Sequence, residues 1–196
     1  CGSGRHTCAA YQCQNVTAIG ADLNFDDLSE ARKRLELHDR LGEHGGGAWG
    51  LSVADVTCLP FKDDYFDLVI CSEVLEHIVK HRLAIREIVR VLQPGCDLVV
   101  SVPRYWTERI CWFLSPEYGA SEGGHVRIFK QKQLVADVER AGVKKWAIHF
   151  AHSLRTPFWW LKCLVGPDRS DSLPVNLYHR FLTCLPCRSF CEGWSF

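Results

Sequence analysis

The sequence contains no methionine, no excess of charge of either sign and no long apolar run. Its 23 Lys and Arg residues balance its 23 Asp and Glu residues, so no overall basic character indicates nucleic acid as a partner. No apolar run approaches the roughly 20 residues that a membrane-spanning helix needs. These absences leave small molecules or other proteins as the expected partners. Of the 196 residues, 47% are apolar, which is enough for a sizeable core.

No secretory signal precedes the 11 cysteines, which are odd in number and scattered along the chain. This pattern argues against a disulfide framework and predicts a reducing, cytoplasmic location. Cys184, Cys187 and Cys191 have a spacing that could bind a metal ion. A structural zinc site usually has four ligands, however, and no matching pair of cysteines is evident. The sequence therefore predicts no metal site.

The chain begins on a glycine-rich stretch, CGSGR, with no strand ahead of it. Gly2 and Gly4 flank the small residue Ser3, and such loops turn tightly and let the backbone approach a ligand. Loops of this kind normally follow a strand. We therefore expect the chain to be a fragment that lacks a first strand, and the absence of methionine agrees with this.

Apolar stretches of strand length alternate with amphipathic helices from residue 16 to residue 103, which is typical of a mostly parallel sheet covered on both faces. The predicted class is α/β with a Rossmann-like, doubly wound sheet. The predicted elements are a short helix in HTCAAYQCQ, a strand over residues 16–22, a helix that Asp26 or Asp27 caps and glycines from Gly42 onward end, strands in AWGLSVADV and YFDLVICSEV, a helix in VLEHIVKHRLAIREIVRVL that Pro94 and Gly95 stop, and a strand in DLVVSVP. The inward face of the last of these helices is predicted to carry Leu75, Ile78, Val79, Leu83, Ile88 and Leu92.

Beyond Pro103 the alternation breaks. Residues 104–130 are aromatic and irregular, as in a lid or an insertion, before a helix in QKQLVADVERAG and a strand in KKWAIHFAH. The predicted division is one domain over residues 1–155 and a C-terminal extension over residues 156–196. The tryptophans of PFWWLKCLV would suit a membrane surface, although core packing or a lid over the pocket is the interpretation we favour.

Residues that end strands are the candidates for a binding site, because ligands of doubly wound sheets bind outside the carboxyl ends of the strands. Asp22 lies 18 positions after Gly4, where a carboxylate can accept both hydroxyls of a ribose. Nicotinamide or flavin dinucleotides and S-adenosylmethionine are both bound in this way. A dinucleotide loop carries a third glycine where this chain has Thr7, and Asp55 at the next strand end could bind an adenine amine. Both features favour S-adenosylmethionine.

Four stretches occur in an order and spacing that resemble a known family: CGSGR, IGADLN, VADVTCLPFKDDYFDLVICSEVLEHI and RVLQPGCDLVVSVP. Over roughly residues 1–150 the chain resembles the class I S-adenosylmethionine-dependent methyltransferases, especially their small-molecule, type 11-like branch with its LPF…FD signature. The resemblance implies a seven-stranded Rossmann-like sheet. The chain departs from the family in two places, because no strand with an acidic residue precedes Cys1 and no convincing seventh strand follows Ala151.

The resemblance also implies which residues bind the cofactor S-adenosylmethionine. Gly2, Ser3 and Gly4 would contact its methionyl part, Asp22 its ribose, and Asp55 with Val56 its adenine, while Ser72 and Glu73 would line the floor of the pocket. Leu23, next to Asp22, belongs to the same set of cofactor-binding residues.

The implied reaction is an in-line displacement that passes a methyl group to a small-molecule acceptor. A lipid-like acceptor, with the chain peripheral to a membrane, stays an open alternative. Alignment and exclusion of water can supply most of the rate, so a base is optional, and His77 and His125 are the candidates for it. Arg104 and Tyr105 could touch the acceptor. The alternatives are a nicotinamide-dependent oxidoreductase and a non-catalytic Rossmann binding module.

The absence of the first strand leads to an expectation about the stability of the chain. In the family's fold it lies at the centre of the sheet, paired with the strands that end at Asp22 and Cys71. Each buried backbone group left unpaired costs about 1–3 kcal/mol, against a total stability of about 5–15 kcal/mol. We therefore expect the chain to be unstable as it stands and to bind cofactor poorly. A strand ending in an acidic residue ahead of Cys1 would restore both properties.

Overall fold

The computed structural model describes residues 1–115, 124–150 and 156–165 and the single residues 173, 176, 177 and 180. The chain forms two compact units, the first made of Cys1–Val102 with Val135–Lys144 and the second of Pro103–Leu134 with Lys145–Phe196. The described elements are α1 (Arg5–Tyr11), β1 (Ala18–Asp22), α2 (Phe25–Leu41), β2 (Trp49–Val53), β3 (Phe66–Ser72), a 3₁₀ helix (Leu75–His77), α3 (His81–Val91), β4 (Leu92–Ser101), α4 (Tyr105–Leu114), α5 (Gln131–Arg140) and α6 (Thr156–Val165).

The first unit contains two pairs of parallel strands. β1 pairs with β2 from Ala18↔Trp49 to Asp22↔Val53, and β3 pairs with β4 up to Ser72↔Ser101. Parallel pairs joined through helices are what the sequence pattern predicts. Among the described residues, neither β1 nor β3 has a second hydrogen-bonded neighbour. The further strand expected between them stays a prediction.

α1 and α2 pack on β1 and form the core next to the glycine-rich loop. Buried Cys8, Tyr11, Ala18 and Leu35 make up this cluster. The cap of α2 differs from the prediction: Asn24, and not Asp26 or Asp27, is the N-cap, and its side chain accepts from the N–H groups of both aspartates. The two carboxylates lie in the first turn, where their negative charges interact favourably with the helix dipole. Gly42 ends the helix with φ of 67°, as predicted.

The predicted helix from Val74 onward is wrong in two respects. It is broken into the 3₁₀ helix and α3, and Val79, in the connection between them, is 73% exposed instead of buried. α3 also ends at Val91, one residue before the predicted end at Leu92, and Pro94 and Gly95 lie within β4 instead of separating helix and strand. A residue that precedes proline is driven towards extended geometry, so the chain has already left the helix at Leu92.

The strand predicted in KKWAIHFAH is also wrong over its described part, because residues 143–150 form neither helix nor strand. Trp146 is 97% exposed and Phe150 is exposed as well, so this apolar segment has no sheet partner to bury it. The preceding helix agrees with the prediction and is α5, after which Gly142 takes a φ of 104°.

The second unit begins with a helix where the sequence predicts irregular structure. α4 packs against α6, and Trp160 Nε1 donates to the carbonyl oxygen of Thr107 over 3.4 Å. The stretch PFWWLKCLV thus lies in α6. No helix among the described residues has the length and apolar character to cross a membrane. Cys184, Cys187 and Cys191 lie outside the described residues.

Candidate active site

The glycine-rich loop closes onto the end of β1 through Asp22. The backbone N–H of Gly2 and the amino group of Cys1 each donate to Asp22 Oδ2 over 2.7 Å. The other carboxylate oxygen accepts the N–H of Asn24 at 3.0 Å. The loop and the acid that the spacing predicts as one site therefore do come together.

These contacts keep the Asp22 carboxyl ionised. Partial burial alone would raise its pKa, but hydrogen bonds from the Cys1 amino group, Asn24 and Gly2 outweigh this and lower the pKa. An ionised carboxylate offers about four lone-pair positions, so these three donors leave one position, on Oδ1, for a further hydroxyl. The side chain remains 22% exposed at the strand end.

Two glycines fix how closely the loop lies against the sheet and helices. Gly4 has φ of 84°, and a Cβ there would lie 2.7 Å from the Cβ of Ala31 in α2, so only glycine allows this approach. Gly2 has φ of 51°, and no atom lies within 4 Å of the position that its Cβ would take. The backbone at Gly2 is thus left-handed and borders open space, as a ligand cradle requires.

Asp55 lies at the same edge of the β1–β2 pair as Asp22. Asp22 pairs with Val53, and its carbonyl oxygen accepts the N–H of Ala54 at 2.9 Å. Asp55 Oδ1 accepts the backbone N–H of Thr57 at 2.7 Å and its hydroxyl at 2.8 Å. These hydrogen bonds, the backbone one first, lower the pKa of the Asp55 carboxyl. Asp55 therefore shapes the turn after β2, and its Oδ2 takes no part in these bonds.

Apolar side chains flank the two acids. Leu23 is 69% exposed, Val53 is exposed and Val56 is half-buried. They follow or end β1 and β2, so the edge that carries the acids also offers an apolar surface.

Arg90 of α3 holds the LPF stretch that follows this turn. Its guanidinium donates to the carbonyl oxygens of Leu59 at 3.0 Å and Phe61 at 2.9 Å, and to Asp63 at 2.6 Å. Glu87 accepts two further bonds from Arg90 and one from the N–H of Leu59. The sequence analysis missed this pair, although Glu87 and Arg90 stand three residues apart on a predicted helix.

The end of β3 carries a second polar group. The hydroxyl oxygens of Ser72 and Ser101 lie 2.8 Å apart, and Ser101 donates to Glu73 Oε1 over 2.8 Å. Glu73 has φ of 53°, a left-handed conformation that is uncommon outside glycine and is enriched at functional sites. Ser101 was missed, although it ends the apolar run of β4 and the strand-end rule would have selected it.

Cys71 is buried next to the end of β3. Burial, and after it the nearby charge of Glu76, raises the pKa of the Cys71 thiol to about 12. The thiol stays protonated at neutral pH and is a poor nucleophile.

The two histidines proposed as bases lie in different units. His77 ends the 3₁₀ helix after β3 and is half-buried. His125 belongs to the second unit, where its Nδ1 lies 2.8 Å from Oε2 of buried Glu108. Such a carboxylate orients an imidazole, which is one of the roles expected of a partner to a general base.

Comparisons with known proteins agree with this arrangement. The family model described as "Methyltransferase domain" matches residues 1–100. A demethylmenaquinone methyltransferase from Clavibacter sepedonicus is 35% identical over 92 residues, which are 47% of this chain and 34% of that protein. The ubiquinone/menaquinone biosynthesis C-methyltransferase UbiE of Proteus mirabilis is 33% identical over 87 residues, 44% of this chain and 33% of that protein. The chain thus spans about a third of the length of these relatives.

Solved structures show the fold. The YcgJ protein of Bacillus subtilis superposes with a TM-score of 0.56 at 19% identity, covering 90% of this chain and 73% of that one. An S-adenosylmethionine-dependent methyltransferase of Methanosarcina mazei gives a TM-score of 0.53 at 23% identity, covering 72% and 75%. The expected α/β, Rossmann-like class is confirmed.

The family match covers the glycine-rich loop, Asp22, Asp55 and the end of β3, and the first three of these lie at one edge of the β1–β2 pair. This membership implies S-adenosylmethionine as the cofactor. The open, left-handed backbone at Gly2 and the ionised Asp22 beside it fit that molecule. The chain belongs to the methyltransferase domain family, within the class I S-adenosylmethionine-dependent methyltransferases.

Proposed function

We propose that this chain binds S-adenosylmethionine at the ends of β1, β2 and β3 and transfers its methyl group to a small-molecule acceptor by in-line displacement. The observation that carries the proposal is the closure of the glycine-rich loop onto Asp22, with Gly2 N–H 2.7 Å from Oδ2. That contact orders an ionised acid next to a backbone that borders open space.

Each part of the cofactor has matching residues on this chain. Asp22 accepts the ribose hydroxyls, and Leu23 and Val56 offer apolar contact to the adenine, whose amine donates to Asp55. Gly2, Ser3 and Gly4 hold the methionyl part. Ser72 and Glu73 form the wall on the β3 side. The Ser101 hydroxyl fixes the carboxylate of Glu73, so this wall is set before any ligand binds.

The bound cofactor supplies an electrophilic methyl group on a sulfonium centre. The residues of the chain align the acceptor with that methyl group and exclude water, which can account for most of the rate. Where the acceptor must lose a proton, His77 or His125 accepts it. Within the second unit, Glu108 Oε2 lies 2.8 Å from His125 Nδ1 and fixes the orientation of that imidazole.

The acceptor class is proposed from the relatives. Two of them are named for methylation in quinone biosynthesis, and 30–35% identity over about half of this chain supports a small organic acceptor here. We propose that the acceptor is lipid-like. We also propose that the protein is cytoplasmic and contacts a membrane surface. A nicotinamide-dependent oxidoreductase and a non-catalytic binding module remain as rivals.

Isothermal titration calorimetry with S-adenosylhomocysteine and with NAD separates these functions. The measurement uses the chain as it stands and the chain preceded by a strand-forming segment that ends in an acidic residue. We expect S-adenosylhomocysteine, but not NAD, to bind the extended chain, and to bind the shorter one more weakly. Binding of NAD alone would replace the proposal by the oxidoreductase. A metabolite screen for methyl transfer then tests catalysis, and cofactor binding without any transfer would leave the binding module.

A further inference from the structure

The exposed face of α4 carries large aromatic side chains. Trp106 is 67% exposed and Phe113 is 86% exposed, and Arg109 between them is exposed as well. Their spacing of three and four residues places all three on one side of the helix. We call Trp106, Arg109 and Phe113 the α4 outer face. Single exposed apolar residues are ordinary, but a stripe of them on one helix marks a contact surface.

Cationic side chains surround the aromatic rings next to this face. The Arg109 guanidinium lies 5.9 Å and the Lys130 ammonium 5.7 Å from the ring centre of Tyr105. The Arg104 guanidinium lies 4.9 Å from the ring centre of Phe150. Tyr105 itself makes an edge contact with Trp106 at 5.5 Å. Aromatic bodies and positive charges therefore alternate around the start of α4.

No exposed carboxylate balances these charges among the described residues of the second unit. Their single acid, Glu108, is buried on the inner side of α4 and contacts His125. The cations that the described part of this unit exposes include Arg104, Arg109, Lys130, Lys132 and Lys145. The surface is thus complementary to a negatively charged partner.

We propose that the α4 outer face docks on the surface of an anionic lipid bilayer. Trp and Phe insert at the boundary of headgroups and acyl chains, and Arg and Lys beside them contact the phosphates, as in helices that lie in the plane of a membrane. Leu164, on the helix α6 that packs against α4, is a further exposed apolar side chain of this unit. The proposal concerns the second unit alone and stands whether or not the first unit transfers methyl groups.

Nucleic acid is the other polyanion that aromatic and cationic groups bind, but it fits less well. Base stacking needs free ring faces, whereas cations lie near the rings of Tyr105 and Phe150. The aliphatic Leu164 and Val126, both exposed, offer nothing to a stacked base. An apolar layer beneath a charged surface accommodates all of these side chains together.

Vesicle flotation tests the proposal on the full chain. Vesicles of phosphatidylcholine with phosphatidylserine are compared with vesicles of phosphatidylcholine alone, at low and high salt. We expect binding to the anionic vesicles that salt weakens, because each Lys or Arg near such a surface contributes about fivefold in partitioning. The double variant Trp106→Ser/Phe113→Ser should lose about tenfold or more, and so should Arg109→Glu/Lys130→Glu.

The matched control is Leu41→Ser/Lys62→Glu, which changes an exposed apolar residue and an exposed cation in the first unit. It should bind like the parent chain. Circular dichroism shows whether each variant is folded. The aromatic and the charge variants change different side chains, so loss of binding by both, with folding intact, is due to the surface and not to unfolding. The proposal is overturned if the chain binds neutral and anionic vesicles equally, or if neither double variant changes binding. It is also overturned if the chain binds single-stranded RNA more strongly than vesicles and the same variants abolish that binding.

Discussion

The two compact units carry opposite charge, although the whole chain is neutral. The first unit contains twelve Lys and Arg residues and seventeen Asp and Glu residues. The second contains eleven Lys and Arg residues and six Asp and Glu residues. In the first unit several carboxylates have polar partners: Asp22 contacts the glycine-rich loop, Glu87 contacts Arg90, and Asp137 contacts Arg82, Arg140 and His81. The described part of the second unit instead exposes cations and aromatic rings. The first unit thus pairs many of its charges internally, whereas the described part of the second leaves cations on its surface.

The first unit should depend most strongly on Asp137. Its side chain is fully buried, and its two oxygens contact His81 Nε2 at 3.1 Å, Arg82 Nε at 3.0 Å and Arg140 Nη1 at 2.7 Å. Asp137→Ala removes the acceptor of buried His81 and of two exposed arginines, which water can solvate, so we expect a loss of about 3 kcal/mol in the free energy of unfolding. Urea denaturation measures it. Glu139→Ala, an exposed change on the same helix, is the control, and equal losses in both variants would break the comparison between the units.

The pH dependence of the free energy of unfolding is a second test of the role of Asp137. Burial alone would raise the pKa of the Asp137 carboxyl, but the His81 hydrogen bond and the charges of Arg82 and His81 lower it overall. A carboxyl whose pKa is lower in the folded chain stabilises the fold above its unfolded pKa of about 4 and loses that contribution as the pH falls. The parent chain should therefore lose more stability than Asp137→Ala between pH 5 and pH 3, and parallel curves would contradict this role.

The next effect concerns cofactor binding by the first unit. If Asp22 holds both ribose hydroxyls, Asp22→Ala should cost about 2–3 kcal/mol, or roughly 30- to 150-fold in affinity for S-adenosylhomocysteine. Asp55→Ala should cost less, because an adenine amine offers a single bond. Asp26→Ala, an exposed acid of the same region, should leave affinity unchanged in calorimetry. An unchanged affinity in Asp22→Ala would remove this residue from the site.

The smallest effect tests the local structure behind Asp22. The side chain of Asn24 accepts from the N–H of Asp26 at 2.9 Å and so starts α2 directly after the acid. Asn24→Ala should lower the free energy of unfolding by about 1 kcal/mol, whereas Asn24→Asp, which also caps helices, should preserve it. A thermal melt compares the three chains. If Asn24→Asp falls as far as Asn24→Ala, the cap does not stabilise this edge.

Much of the first unit follows from local pattern. Apolar runs locate β1 to β4, and Gly42 marks the end of α2. The rule that ligands meet the carboxyl ends of strands selects Gly2, Asp22 and Asp55, because parallel strands bring their ends to one edge whatever lies between them in sequence. Local pattern is less reliable at boundaries. At the start of α2, Asn24, Asp26 and Asp27 are all residue types that cap helices, so the sequence does not show which of them is the cap. At Val79, the apolar periodicity continues although the helix is interrupted.

The sequence by itself determined the α/β class, the order of the helices and strands as far as β4 and the acid at the end of β1, since each depends on periodicity or spacing over a few residues. Tertiary structure alone decided which distant groups pair. Asp137 meets His81 across 56 positions, and Ser101 meets Glu73 across 28. It also decided that Trp146 and Phe113 stay exposed, because an apolar residue is buried only where a partner surface covers it. The division of charge between the units became visible only once the fold had assigned each residue to one of them.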